Sequence, residues 1–304
     1  MNERTTKLRD TVRDAAPEIC VERGVYYTES YQETDGLPVG IRRAKALANI
    51  LEKQTVCILP GELIVGNQTG KINAAPMFPE YGLDWILDEV DTMNERKLDR
   101  FILDKQDIPA LKEINEYWIG KTHFDLAKQA ILAALPEEYA PYYNAEKSSF
   151  NDVVSNSGRM TTGDGHVIAN FERLIKHGLR VVIDDAKAEM KECDEQLGNI
   201  DSINKKHFLK SVVISLEAAI TFAHRYADEA EKLAKDDPGM QTMADNLRRV
   251  PEFGAQTLHQ AVQAYWLLHV LLQIESNGHS MSFGRFDQYL QPYYEKDLAE
   301  GKID

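Results

Sequence analysis

Cysteine, positive charge and long apolar runs are all scarce in this chain, and each shortage excludes something. Its cysteines are Cys20, Cys57 and Cys193, an odd number at wide spacings with no Cys-x-x-Cys and no Cys/His zinc pattern. That rules out a disulfide scaffold or a zinc ribbon and leaves reduced, structural thiols. Lys and Arg number 35 against 49 Asp and Glu, a net charge of -14. A surface that acidic repels phosphate backbones and excludes nucleic acid as a partner. The most apolar window, residues 264–274, is too short to span a bilayer and has His269 inside it. The first residues are charged throughout and contain no apolar stretch of the kind a secretory signal needs, so the expected location is cytoplasmic. Also missing are a Gly-x-Gly-x-x-Gly turn after a strand, a P-loop and a Gly-x-Ser-x-Gly elbow. His259, His269 and His279 recur every ten residues, but that step does not return to one helix face, so no metal site is expected.

What remains is a mixture of 43% hydrophobic and 28% charged residues over 304 positions, enough for a large core in one or two domains. Helical periodicity dominates. Residues 5–13 open a charged helix. Residues 41–51 form another, with Ile41, Ala44, Leu47, Ala48 and Leu51 on one face. Residues 84–103 and 108–135 also look helical. The strongest signal lies in residues 206–235, where Leu209, Val212, Leu216, Ala219, Ile220, Ala223, Ala227, Ala230 and Leu233 make a stripe at 3.6-residue spacing. Residues 240–249 form a further helix. Residues 256–275 are apolar nearly all round, which requires burial. Residues 55–65 differ: two β-branched runs flank Pro60-Gly61, a strand–turn–strand signal. The expected class is mainly α with a few short strands. Little sequence follows residue 275 to cover its helix, which points to a missing C-terminal part or an obligate partner.

Three polar constellations stand out. Asn277-Gly278 should end a helix through a left-handed cap, after which His279 and Ser280 project from a turn. An imidazole and a hydroxyl side by side can hold substrate oxygens, and they can equally cap local backbone. Gly163-Asp164-Gly165-His166 brackets an acid with glycines before a helix. There His166 would sit near a helix N-terminus, which disfavours the imidazolium and suits a hydrogen-bonding or proton-donating role. The alternative is Asp164 as an N-cap with His166 on the surface. Arg159, in the polar loop ahead of it, either meets an anionic substrate group or is solvated. Arg285 and Asp287 read as a structural ion pair, as do the early charges Glu22, Arg23, Arg42 and Arg43.

Several blocks, in order, resemble glycyl radical enzymes of the branch that holds glycerol dehydratase and pyruvate formate-lyase-like relatives. They are Cys20 to Arg23 with Thr28-Glu29, Glu62 to Asn67, Ala75 to Glu80, Gly163 to His166, Phe208-Leu209 to Ala227, and the run from Ile274 to Tyr294. The resemblance implies a ten-stranded α/β barrel wrapped in helices. Residues 1–304 would be the N-terminal part of the pyruvate formate-lyase (PFL) domain, with the C-terminal glycyl radical domain absent. It implies a lyase or dehydratase of anaerobic metabolism acting on a small diol or hydroxy compound. A thiyl radical would abstract hydrogen and water would leave. The implied cofactor is a glycyl radical installed by a radical S-adenosylmethionine activating enzyme. A homodimer is implied for the full-length protein, and no directly bound metal or membrane partner.

Carried over by position, His166 would donate a proton to the departing hydroxyl, and His279 and Ser280 would orient the substrate. Two family motifs are missing, the radical Arg-Val-x-Gly-Tyr and the finger-loop Gly-Cys-Val-Glu. Cys20-Val21-Glu22 imitates the latter with Ile19 in place of Gly and is read as a coincidence. The chain alone is therefore expected to be inactive. Gly158 and Arg159 stand where the dehydratases place an Asn, which points away from glycerol and would suit a charged substrate. His166 with His279-Ser280 favours a hydroxy-compound lyase over a formate acetyltransferase that cleaves pyruvate with coenzyme A. A third reading is a truncated, non-catalytic helical binding protein. A fragment should expose apolar surface around Tyr265, Trp266 and Leu271.

Overall fold

The packing is organised by one long helix whose buried half is lined with alanine. The computed structural model describes residues 2–82, 89–98, 100–139, 165–195, 199–278 and 280–304. Among them, the elements in chain order are α1 (Glu3–Asp14), β1 (Glu18–Cys20), α2 (Glu22–Glu33), α3 (Val39–Lys53), β2 (Ala74–Pro76), α4 (Ile108–Trp118), α5 (His123–Ala134), α6 (Phe171–His177), α7 (Leu179–Glu195), α8 (Ile200–Leu233), α9 (Gly239–Arg249), α10 (Leu258–Ser276) and α11 (Phe286–Ala299), with single 3-10 turns between. α8 packs on α3, α7 and α9. Ala219, Ala223, Ala227 and Ala230 are buried on it, so the neighbouring helices come close, and Phe222 and Tyr226 fill the space between them. Burying such side chains stabilises the fold by roughly 1.5–3 kcal/mol each. Only residues 218–230 of α8 carry this buried stripe; Phe208, nearer its start, is 65% exposed.

β1 and β2 pair in parallel, Ile19 opposite Ala75, and an isolated bridge adds Ile102 beside Glu18. β2 also packs against α2.

Four expectations are corrected. Residues 55–65 form no strand pair. The apolar run is held instead by side chains of α10. The Gln263 carboxamide accepts from Val65 N at 2.9 Å and donates to Val65 O at 2.8 Å, as a neighbouring strand would. His259 Nε2 lies 2.5 Å from Leu63 O, and Trp266 Nε1 donates to Gly66 O at 3.0 Å. The described residues between 84 and 103 hold only a 3-10 turn at Met93–Glu95. Asn94 bonds both backbone groups of Leu103 at 2.8 Å, and Ile102 bonds Pro17 and Ile19, which draws this stretch to β1. Residues 108–135 break into two helices at Gly120, whose φ of 75° suits glycine. Tyr265 and Leu271 are buried, at 7% and 5% exposure, and Trp266 is half-buried; exposed apolar side chains lie instead at Val167, Ile168, Phe283 and Phe286.

The C-terminal end of α10 is fixed by Arg23. Its guanidinium is 1% exposed and uses all five N–H groups. Nε donates to Ile274 O at 2.6 Å, Nη1 to Met77 O at 3.0 Å and Glu80 Oε2 at 3.1 Å, and Nη2 to Glu80 Oε1 at 2.6 Å and Glu275 O at 3.1 Å. It also stacks on Phe78, 3.6 Å from the ring centre. Replacing Arg23 by Met should lower the unfolding free energy by about 3–5 kcal/mol, because Glu80 is then buried without a partner. Urea unfolding measures this, and Arg23→Lys should recover less than half, since an ammonium lacks the planar fork.

Candidate functional site

Two segments more than a hundred residues apart meet beyond the end of α10. α10 stops at Ser276, and Asn277 takes the left-handed conformation (φ 48°, ψ 45°), its N–H bonding Gln273 O at 3.0 Å. The left-handed end expected of Asn277-Gly278 is present, carried by Asn277 and not by the glycine. Ser280 follows at φ 58° and is exposed. Ser282 then pairs with the segment before α6: its N–H donates to Val167 O at 3.0 Å, and Ile168 and Ser282 form a parallel bridge. Ser280 and His166 each lie two residues before this single bridge, in a turn and a bend.

His166 also has positive φ, 55°. Among the described residues, His166, Asn277 and Ser280 are the only non-glycine residues with positive φ. Each such residue costs of order 1–3 kcal/mol, and strain of this kind collects where geometry is fixed for a ligand. His166 was expected near a helix N-terminus, and the helix starts five residues after it. α6 begins at Phe171, with the Asn170 side chain accepting from Arg173 N at 3.1 Å, so Asn170 is the cap and His166 lies in a bend ahead of it, exposed. His279, Arg159, Gly163 and Asp164 lie outside the described residues.

Packing holds both segments. Phe171 of α6 lies 4.4 Å from the Tyr265 ring of α10, and together with Ile175 and Ala261 they form a small core against Tyr289, Leu290 and Tyr293 of α11. Tyr265 and His269, one turn apart on α10, clamp Phe283 at ring distances of 5.0 and 4.6 Å. Tyr265 Oη donates to Phe283 O at 3.1 Å, and burial pushes its phenol up, so it stays a donor. These two residues were missed in the sequence; their signal was a pair of polar-tipped rings at i and i+4 in an otherwise aliphatic helix. Arg285 and Asp287 form the anticipated ion pair at 3.1 Å, both more than half exposed. The Arg285 hydrogen bond and charge draw the Asp287 carboxyl below its usual range. Cys20 ends β1, buried, with its thiol pushed up by burial, which does not suit a reactive thiolate. Among the described residues no group of His, Cys, Asp or Glu could hold a metal, and no helix is long and apolar enough to cross a membrane. What the two bridged segments offer is an exposed imidazole and an exposed hydroxyl, groups able to bind hydroxyls and pass a proton.

A family model described as pyruvate formate lyase-like matches residues 1–304. A probable dehydratase, YbiW, of Escherichia coli is 34% identical over 93% of this chain and 34% of its own length. A structure concerned with 1,2-propanediol dehydration in Roseburia inulinivorans superposes with a TM-score of 0.87, at 34% identity, covering 100% of this chain and 36% of that one. The glycerol-bound B12-independent glycerol dehydratase of Clostridium butyricum gives 0.85 and 35%, covering 97% and 37%. The chain spans about a third of the length of these relatives.

The pairing depends on Gly284, at φ 60°. A Cβ there would come within 2.4 Å of Tyr289 Oη and 2.9 Å of Ile168 Cγ2. Gly284→Ala should therefore lower stability by about 1–3 kcal/mol in thermal or urea unfolding. Phe283→Leu, with no such clash, should cost less.

Proposed function

The chain belongs to the pyruvate formate lyase-like family of glycyl radical enzymes, and we propose that residues 1–304 are the N-terminal part of the catalytic domain of a dehydratase for a small diol or hydroxy compound. The observation that carries this reading is the bridge of Ile168 with Ser282, which brings the segments of His166 and Ser280 together, each with a positive φ. Strain held in place by packing keeps two hydrogen-bonding groups in one geometry, which is what orienting a diol requires. In this reading Ser280 and His279 hold the hydroxyl that is retained. His166 hydrogen-bonds the hydroxyl that departs and gives it a proton, so that it leaves as water. The net conversion of a 1,2-diol to an aldehyde and water is redox neutral.

The chain's own residues do not fit the radical role. It has neither the Arg-Val-x-Gly-Tyr motif nor the Gly-Cys-Val-Glu loop, and Cys20 is buried in β1. The residues that store and relay a radical, and the activating enzyme that would install it, lie outside this chain; its part is binding and proton placement. A dimer and a cytoplasmic location belong to the same proposal for the whole protein.

The test starts with the polypeptide as made in its source under anaerobic conditions. Its intact mass should lie well above 34.5 kDa, and after activation it should convert propane-1,2-diol to propanal. His166→Ala should lower kcat by about 10²–10⁴-fold. Ser280→Ala should raise KM about three- to tenfold, the loss of one hydrogen bond. A mass of 34.5 kDa without dehydration, or coenzyme A-dependent formate release from pyruvate, would contradict the proposal.

A further inference from the structure

The turn after α10 is tied back to the helix it leaves. α10 ends at Ser276, and seven residues later Phe283 O accepts a hydrogen bond from Tyr265 Oη at 3.1 Å. Tyr265 lies eleven residues before Ser276, about 16 Å back along the helix at a rise of about 1.5 Å per residue. Ser280 stands between these two attachments, at φ 58°. The other backbone bonds of the turn go elsewhere. Ser282 N donates to Val167 O at 3.0 Å, Gly284 N to Ser282 Oγ at 3.1 Å, and Arg285 N to Tyr289 Oη at 2.8 Å. Of these bonds, the one from Tyr265 is the one that reaches α10, whose end is held by Arg23.

The Tyr265 ring also serves the other segment. It lies 4.4 Å from the ring of Phe171, the first residue of α6 and three residues after Ile168, and 5.0 Å from the ring of Phe283, the residue after Ser282. One side chain therefore packs on both segments joined by the Ile168–Ser282 bridge. Its two parts act on different halves. The hydroxyl holds Phe283 O and so bears on the segment of Ser280 alone. The ring bears on that segment and, through Phe171, on the segment of His166. A phenylalanine keeps the ring contacts and loses the hydroxyl bond; a leucine loses both.

We propose that Tyr265 is a positioning residue of the site: its hydroxyl sets the placement of Ser280 through the Phe283 carbonyl, and its ring sets that of His166 through Phe171. This role rests on the dehydratase reading, in which Ser280 holds the substrate and His166 gives the proton. Tyr265 is 7% exposed and acts through its neighbours. Displacing a binding group by a fraction of an ångström weakens binding, and displacing a proton donor slows the chemical step. The hydroxyl and the ring of Tyr265 should therefore separate in the kinetics.

The test uses the full polypeptide of the source, activated under anaerobic conditions, with propane-1,2-diol as substrate. Tyr265→Phe should raise KM about three- to tenfold, as the loss of one hydrogen bond does, and keep kcat within about twofold. Tyr265→Leu should raise KM and also lower kcat about tenfold or more, because Phe171 loses its partner too. Tyr226→Phe is the comparison. It removes the hydroxyl of another buried tyrosine, which accepts from Asn67 N at 3.0 Å, and should leave KM unchanged. Hydrogen exchange over residues 280–285 reads the placement without substrate: it should be faster in Tyr265→Phe and unaltered in Tyr226→Phe. A KM unchanged in Tyr265→Phe, or raised as much in Tyr226→Phe, would overturn the proposal. A wild type that converts no diol overturns the dehydratase reading, whereas unaltered exchange over 280–285 in Tyr265→Phe overturns the positioning role by itself, so the two failures are told apart.

Discussion

Everything at the far end of α10 depends on one buried cation. Helices end with unpaired carbonyls, and burying such an end without donors is costly. Arg23 supplies donors to the carbonyls of Ile274 and Glu275 while its remaining N–H groups hold Met77 O and both oxygens of Glu80. Tyr81 Oη adds a bond to Ser276 O at 3.3 Å, and Arg43 Nε reaches Glu275 Oε1 at 2.5 Å. A buried ion pair is expensive to desolvate; saturating all five donors and stacking the guanidinium on Phe78 is what makes it tenable. The positive charge also faces the negative end of the helix dipole. α2, the bend after β2 and α10 are thereby locked at one point, immediately before the backbone turns out into Asn277.

α10 then serves three neighbours with few polar atoms. His259, Gln263 and Trp266 bond the backbone from Leu63 to Gly66, replacing the strand that segment lacks. Tyr265 and His269 hold Phe283. Trp266, His269 and Gln273 line an open cleft beside the loop from Gly66 to Gln68. An apolar helix with a polar tip every third or fourth residue can therefore fix a loop on one side and a functional turn on another while its aliphatic residues stay in the core. The two halves of the site differ in how they are held. The turn after α10 is anchored through Arg23, whereas residues 165–168 are anchored through α6, Phe171 and the bridge to Ser282.

Much of this was legible in the sequence, and the reasons are local. α3, α8, α9 and α10 were recovered because an amphipathic or wholly apolar period is written within one segment. The left-handed end at Asn277 was legible because Asn-Gly carries its own backbone preference. What failed was whatever a distant partner decides. The run 55–65 has strand chemistry, but Gln263, 198 residues from Val65, satisfies its backbone. Residues near 102 look helical until Asn94 and β1 take their backbone groups. His166 was placed too close to its helix because Asn170, an equally good cap, lies four residues further on. The pairing of Val167 with Ser282 rests on one backbone hydrogen bond across the chain, and no periodicity announces it. The family resemblance supplied the link between those blocks that spacing could not.

The Arg23–Glu80 anchor, by fixing the end of α10, sets the register of the turn that bridges to Ile168. Hydrogen exchange at the Ser282 amide, compared between the wild type and Glu80→Gln, tests it most directly. Slow exchange is expected in the wild type and markedly faster exchange at Ser282 in the variant, while α8 amides such as Phe222 keep their protection. Equal protection of Ser282 in both proteins would contradict it.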